Sequence, residues 1–176
     1  VFLAGLAVLV GILADNFNLA ALNTPLEVIG IVILIVRMRK ELAPSRWAES
    51  VPGLYARLAV IWLIGAIAAL GVLVNGIVSG KWADFADIPL GLVLSMDHMN
   101  FLGVLAMVTF GLLVAALGHE DSADRWVLAG VNIGLAAFIV GLLSEVEALK
   151  MIGTPILGLA LLWGIWRHVG RLQATA

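Results

Sequence analysis

Long apolar runs broken by short polar links organise the chain, with blocks at roughly 1–14, 24–36, 56–79, 88–118, 126–144 and 151–166. A helix needs about 20 apolar residues to cross a bilayer, and within lipid every backbone N–H and C=O has to be paired inside its own segment. The pattern therefore predicts an all-α, polytopic transmembrane bundle of about six helices, forming a single transmembrane domain over residues 1–176. The first two blocks are short, but apolar residues in the connector "ADNFNLAALNT" can extend either one. A five-helix arrangement with 1–36 partly interfacial is the alternative. A β-barrel would show short segments of alternating polarity, which these blocks lack.

Composition points the same way. Hydrophobic residues make up 62% of the chain and charged residues 12%, with a mean hydropathy of +1.11, too little polar surface for a water-soluble domain. A lipid bilayer is the expected surrounding. With no cysteine, disulfides and thiolate metal sites are excluded. No basic aromatic surface is present, so nucleic acid is not an expected partner. The opening "VFLAG" has no initiator Met and no basic region ahead of the first apolar block, so further N-terminal sequence is expected before Val1.

Arg37, Arg39, Lys40 and Arg46 follow the second block, and Arg167 and Arg171 follow the last. Positive charge beside helix ends marks the cytoplasmic side, so the loop 37–55 and the C-terminus are expected to be cytoplasmic. The outer links then hold Asp15, Lys81, Asp84, Asp87, Glu145, Glu147 and Lys150.

An internal repeat stands out. The hairpin 1–37 resembles the hairpin 134–167, since "GILADNFNLAALNTPLEVIGIVILIVRMR" and "GLLSEVEALKMIGTPILGLALLWGIWRH" align without a gap. Gly11 meets Gly141, Asp15 meets Glu145, Thr24-Pro25 meets Thr154-Pro155, and Arg37 meets Arg167. Pro in a first helical turn needs no N–H there, and the preceding Thr can cap it, so both Thr-Pro pairs are expected at helix starts. The alternative is that apolar hairpins resemble one another by composition.

Chemistry concentrates at Asp97, His98 and Asn100, inside the block 88–118. Ionisable groups within a span are costly and usually face a cavity or a partner. At 3.6 residues per turn Asp97 and Asn100 share a face, whereas His98 points toward Leu94, Phe101 and Leu102. The partner expected for Asp97 is Glu145 or Glu147, with Asp15 as the repeat mate. Such a polar set could relay protons, line a cation path or bind a divalent metal, although Glu145 and Glu147 on a continuing helix would face different ways. A solvated acidic connector is the plainer reading of the same acids.

His98 is the one histidine within a predicted span, while His119 and His168 lie toward the opposite end. A heme held by His98 therefore cannot gain a second histidine at that depth from this chain, and Met96 and Met99 sit on the same helix. "GHEDSADRW" around His119 reads as a polar loop. Gly130 and Gly134 in "GVNIG" form a GxxxG that lets two helices approach closely, with Asn132 able to bond across. Trp47, Trp82, Trp126, Trp163 and Trp166 fall near predicted ends as interfacial anchors.

"DHMNFLGVLAMVTFGLL" resembles the His-x-x-(Leu/Phe)-Leu-Gly helices, ending in Phe-Gly, of heme-copper oxidase and nitric oxide reductase catalytic subunits and of small membrane proteins related to them. The resemblance covers one helix and implies heme or metal at His98. Those catalytic subunits use several histidines on different helices, so it implies an accessory relative without catalytic activity of its own. The expected function is thus a non-catalytic membrane subunit or scaffold of a larger respiratory or photosynthetic electron-transfer complex, binding heme through His98 and contacting other membrane subunits. The alternative is a repeat-built transporter or ion pathway using Asp97, His98, Asn100 and Glu145.

Overall fold

The computed structural model describes residues 50–118 and 120–175, together with Val10, Ala14, Leu26, Ile29, Gly30, Ile33 and Val36. The chain forms two compact units, Val1–Ala43 and Pro44–Ala176. In the first, the described positions other than Ala14 are helical, and the Ala14 N–H donates to the Val10 carbonyl at 2.9 Å. Most of the two blocks predicted there, most of the first member of the repeat, and Asp15 lie outside the described residues.

The second unit is helical, with no strand among the described residues. Helix α1 (Val51–Val78) starts at Ser50, whose hydroxyl accepts from the Gly53 N–H at 3.2 Å. Its buried stripe runs Tyr55, Ala59, Leu63, Ala66 and Ala69, yet the opposite face is also apolar, with Ile61, Ile64, Ile67 and Val72 exposed. A helix apolar all round is matched to lipid rather than water. At its end the Trp82 N–H bonds back to the Gly76 carbonyl, and the indole lies on Gly76, where a Cβ would meet the ring at 2.2 Å. Trp82 is thus buried against the end of α1.

Helix α2 (Leu90–Leu117) is α-helical to His98, π-helical over Met99–Ala106, and α-helical again from Met107. Gly118, at φ +65°, ends it in the left-handed conformation that glycine adopts without penalty. Helix α3 (Ser122–Ser144) starts in a capping box: the Asp121 carboxylate accepts from the Ala123 and Asp124 N–H groups, and the Asp124 carboxylate accepts from the Asp121 N–H. Glu145 turns the chain at φ +58°, and α4 (Glu147–Thr175) returns along α3.

All four helices are long and apolar enough to cross a membrane. They form a multi-pass bundle that alternates in direction. Gly91 at the start of α2 meets the Leu142 carbonyl at the end of α3, while Val51 at the start of α1 donates to Glu120 just before α3. α1 packs along α2 and α3 along α4, and α2 bridges the pairs.

One expectation is corrected. Thr154-Pro155 does not open a helix, because Pro155 lies inside α4, which begins at Glu147. Thr154 Oγ1 donates to the Lys150 carbonyl at 2.7 Å instead of capping a turn. Lys150 and Met151, although near the polar link, have already entered the helix. Prolines within spans are tolerated because neighbouring helices and Ser or Thr side chains help satisfy the freed backbone groups.

Candidate functional site around His98

His98 closes the first α-helical part of α2, directly before the π-helical turns. Its Nδ1 stands 2.7 Å from the Leu94 carbonyl oxygen. A carbonyl only accepts, so Nδ1 carries a proton, and in the neutral ring this tautomer leaves the lone pair on Nε2. The ring packs on Phe138 of α3 with centroids 4.8 Å apart, which places His98, half-buried, at the seam between α2 and α3.

The seam runs along one side of α2. Gly91 is the close point, where a Cβ would stand 2.6 Å from the Leu142 carbonyl oxygen. Ser95, one turn on, is fully buried, and its Oγ has no hydrogen-bond partner among the described residues. The next turn brings His98.

The adjoining side of α2 faces α1. Met99 Sδ would lie 2.9 Å from a Cβ at Gly65, and a Cβ at Gly103 would stand 2.4 Å from Cγ of Trp62. The Gly103 position therefore has to lack a side chain if the indole is to lie against α2. The Trp62 Nε1–H donates to Asn132 Oδ1 at 2.7 Å, and Asn132 donates to the Leu128 carbonyl and to Met107 Sδ. A polar knot thus ties α1, α2 and α3 together beside the π-helical turns.

The π stretch changes the spacing argument. Hydrogen bonds reaching one residue further widen each turn, so faces assigned at 3.6 residues per turn drift beyond His98. Phe101, assigned to the His98 side, is exposed, and Asn100 is half-buried. Asp97 is half-buried too, but among the described residues no hydrogen bond or ion pair joins it to Glu145 or Glu147. Glu147 pairs with Lys150, and Glu145 is exposed at the turn. Because the helix breaks at Glu145, the two acids do not share one continuing helix. No group of metal-ligating side chains forms among the described residues.

Gly130 and Gly134 face α4. A Cβ on Gly134 would meet the Leu157 backbone nitrogen at 2.5 Å, one on Gly130 the Ala160 Cβ at 2.8 Å, and one on Gly153 of α4 the Gly134 carbonyl at 2.7 Å. These glycines allow near backbone contact between the helices.

A second polar constellation sits at the other end of the bundle, in the stretch expected to be a polar loop. Arg171 of α4 donates in two parallel bonds to Asp124, Nη1 to Oδ1 at 3.0 Å and Nη2 to Oδ2 at 2.9 Å, and its Nη2 also reaches Asp121 at 3.2 Å. Arg167 donates to Asp121 at 2.6 Å. Asp124 is 1% exposed, and its carbonyl accepts from the Tyr55 hydroxyl at 3.2 Å, so α1 joins the clamp. Slight burial pushes the Asp121 carboxyl up, but the Arg167 hydrogen bond and the N–H bonds of the cap outweigh it and hold it below the usual carboxylate range. The clamp had two sequence signals: Asp121 and Asp124 spaced as a capping box before an apolar run, and Arg167 and Arg171 one turn apart. His168, set beside this clamp, is 3% exposed, with its ring 5.2 Å from Phe110. Phe110 lies about three turns along α2 from His98, so the two histidines occupy opposite ends of the bundle. His119 lies outside the described residues.

No family model, curated protein or solved structure matches this chain.

Proposed function

We propose that the chain is a non-catalytic subunit or scaffold of a larger membrane electron-transfer assembly, with His98 as the residue that would hold a heme. The observation that carries the reading is the Nδ1–H bond to the Leu94 carbonyl. Metal-ligating histidines are oriented in this way, because a backbone acceptor on one ring nitrogen fixes the tautomer and leaves the other nitrogen as the ligand. The π-helical turns that begin at the next residue add support, since such turns occur frequently at functional sites.

His98 would hold the group through Nε2. Leu94 holds its tautomer and Phe138 packs against its ring. A bound heme would supply one-electron chemistry tuned by that ligand and its surroundings. The likeness of "DHMNFLGVLAMVTFGLL" to helices of heme-copper oxidase and nitric oxide reductase subunits and of small membrane proteins related to them belongs to the same proposal. So do the six-helix count with its hairpin repeat, the other membrane subunits as partners, and a cytoplasmic placing of the Arg167 and Arg171 end by the positive-inside rule.

Titration of the detergent-solubilised full chain with hemin tests the reading. Wild type is expected to gain a sharp Soret band at one heme per chain or fewer, and His98→Ala is not. Indistinguishable titrations of the two proteins would sink it.

A further inference from the structure

A groove of about 380 Å³ runs along the end of α4, open to the outside and lined by Asp121, Trp166, Arg167, Gly170, Arg171 and Ala174. Its walls differ in chemistry. One carries the two guanidinium groups, one turn apart on α4, and the other an indole that is 80% exposed. The floor is small side chains: a Cβ on Gly170 would meet nothing within 4 Å. The groove lies where α4 passes from its apolar run to charged residues, and an exposed Trp at that level sits among lipid headgroups.

The charges at the groove are unequally engaged. Asp124 is buried and held through both oxygens by Arg171. Asp121 is half-exposed and shared between the two arginines. Arg167 Nε is covered and has no acceptor among the described residues, although a buried donor ordinarily finds one. The depressed carboxyl of Asp121 agrees with a field set by the guanidinium groups.

We propose that this groove binds the phosphate of an anionic phospholipid. The phosphate oxygens would accept from Arg167 and Arg171, the acyl chains would run down the apolar face of α4 past Trp163 and Leu159, and the Trp166 indole would flank the headgroup. Basic pockets at the end of a helical bundle bind acidic headgroups in this manner, and guanidinium groups suit phosphate geometry. Leu159 and Trp163 are exposed, which leaves the path for the chains open.

Native mass spectrometry of the full chain, released from micelles carrying either phosphatidylglycerol or phosphatidylcholine, tests the assignment. Wild type should retain phosphatidylglycerol in preference. Arg167→Gln should weaken that retention about fivefold, as expected for one guanidinium near a phosphate. Gly170→Leu fills the floor without touching the ion pairs, so it should lose the lipid while keeping the wild-type unfolding midpoint. This second variant keeps the test decisive if Arg167→Gln does not fold. Equal retention of the two lipids, or phosphatidylglycerol held normally by Gly170→Leu, would overturn the proposal. So would inorganic phosphate displacing the lipid at low millimolar concentration, which would assign the groove to a free anion.

Discussion

Gly134→Ala places a methyl group where the backbone of α4 already stands. The new carbon would lie 2.5 Å from the Leu157 nitrogen, 2.8 Å from its Cα and 2.9 Å from its Cβ. Carbon contacts settle at about 3.5–4.0 Å, so the helices have to part locally by about 1 Å. Backbone atoms cannot rotate aside as a side chain can. Gly153 of α4 faces the same stretch, where an added Cβ would stand 2.7 Å from the Gly134 carbonyl, so the two backbones run near each other on both sides of the new methyl group. Overpacking of this kind costs about 1–3 kcal/mol, and the better helix propensity of Ala returns at most about 1 kcal/mol. A net loss of about 1–2 kcal/mol is therefore expected. Gly158→Ala on α4 is the control, since nothing lies within 4 Å of the added carbon, and it should be neutral or slightly stabilising. Unfolding midpoints in mixed micelles, followed by tryptophan fluorescence, measure both. If Gly134→Ala unfolds no earlier than Gly158→Ala, the close α3–α4 seam is wrong.

Other substitutions probe the polar contacts. Asp124→Ala takes from Arg171 the carboxylate it holds through both oxygens, and removing one partner of a buried pair costs about 3–5 kcal/mol. Retention of Asp121 puts the expected loss at the lower end of that range, to be read from the same unfolding curves and checked in a double-mutant cycle with Arg171→Leu. Trp62→Phe removes the 2.7 Å bond to Asn132 and should cost about 1 kcal/mol, whereas in an Asn132→Ala background it should cost less. The Asp121 carboxyl is depressed in the folded state, so its contribution is present above its unfolded pKa and is lost as pH falls through the folded value. Half-exposure keeps that contribution small. The stability gap between wild type and Asp121→Asn should therefore be seen at neutral pH and vanish in acid; a gap that widened in acid would contradict the sign.

Much of the second unit was legible because lipid imposes a simple rule: apolar run equals helix. Blocks 56–79, 88–118, 126–144 and 151–166 correspond to α1 through α4. The ends were less legible, since helices continue into polar sequence where caps and ion pairs satisfy them. α3 starts at Ser122 rather than Trp126 because Asp121 and Asp124 cap it, and α4 runs on through Arg167 and Arg171 because both are paired. The same residues hid the clamp, as a charged stretch beside a span reads first as a solvated loop. The π-helical turns after His98 left no signal in hydrophobic pattern, because the lipid-facing residues Phe101 and Leu105 are apolar under either spacing. The Leu94 bond was equally hidden, since a backbone acceptor has no sequence signature. His98 itself was visible, as an imidazole within an apolar run.

The absorption spectrum of the full chain, isolated from its own membrane in mild detergent, bears most directly on the central claim. A Soret band in wild type that persists in His168→Ala and disappears in His98→Ala, with the unfolding midpoint of His98→Ala unchanged, is the expected result. A colourless wild type, or a Soret band that survives His98→Ala, would contradict the assignment of His98 as a heme ligand.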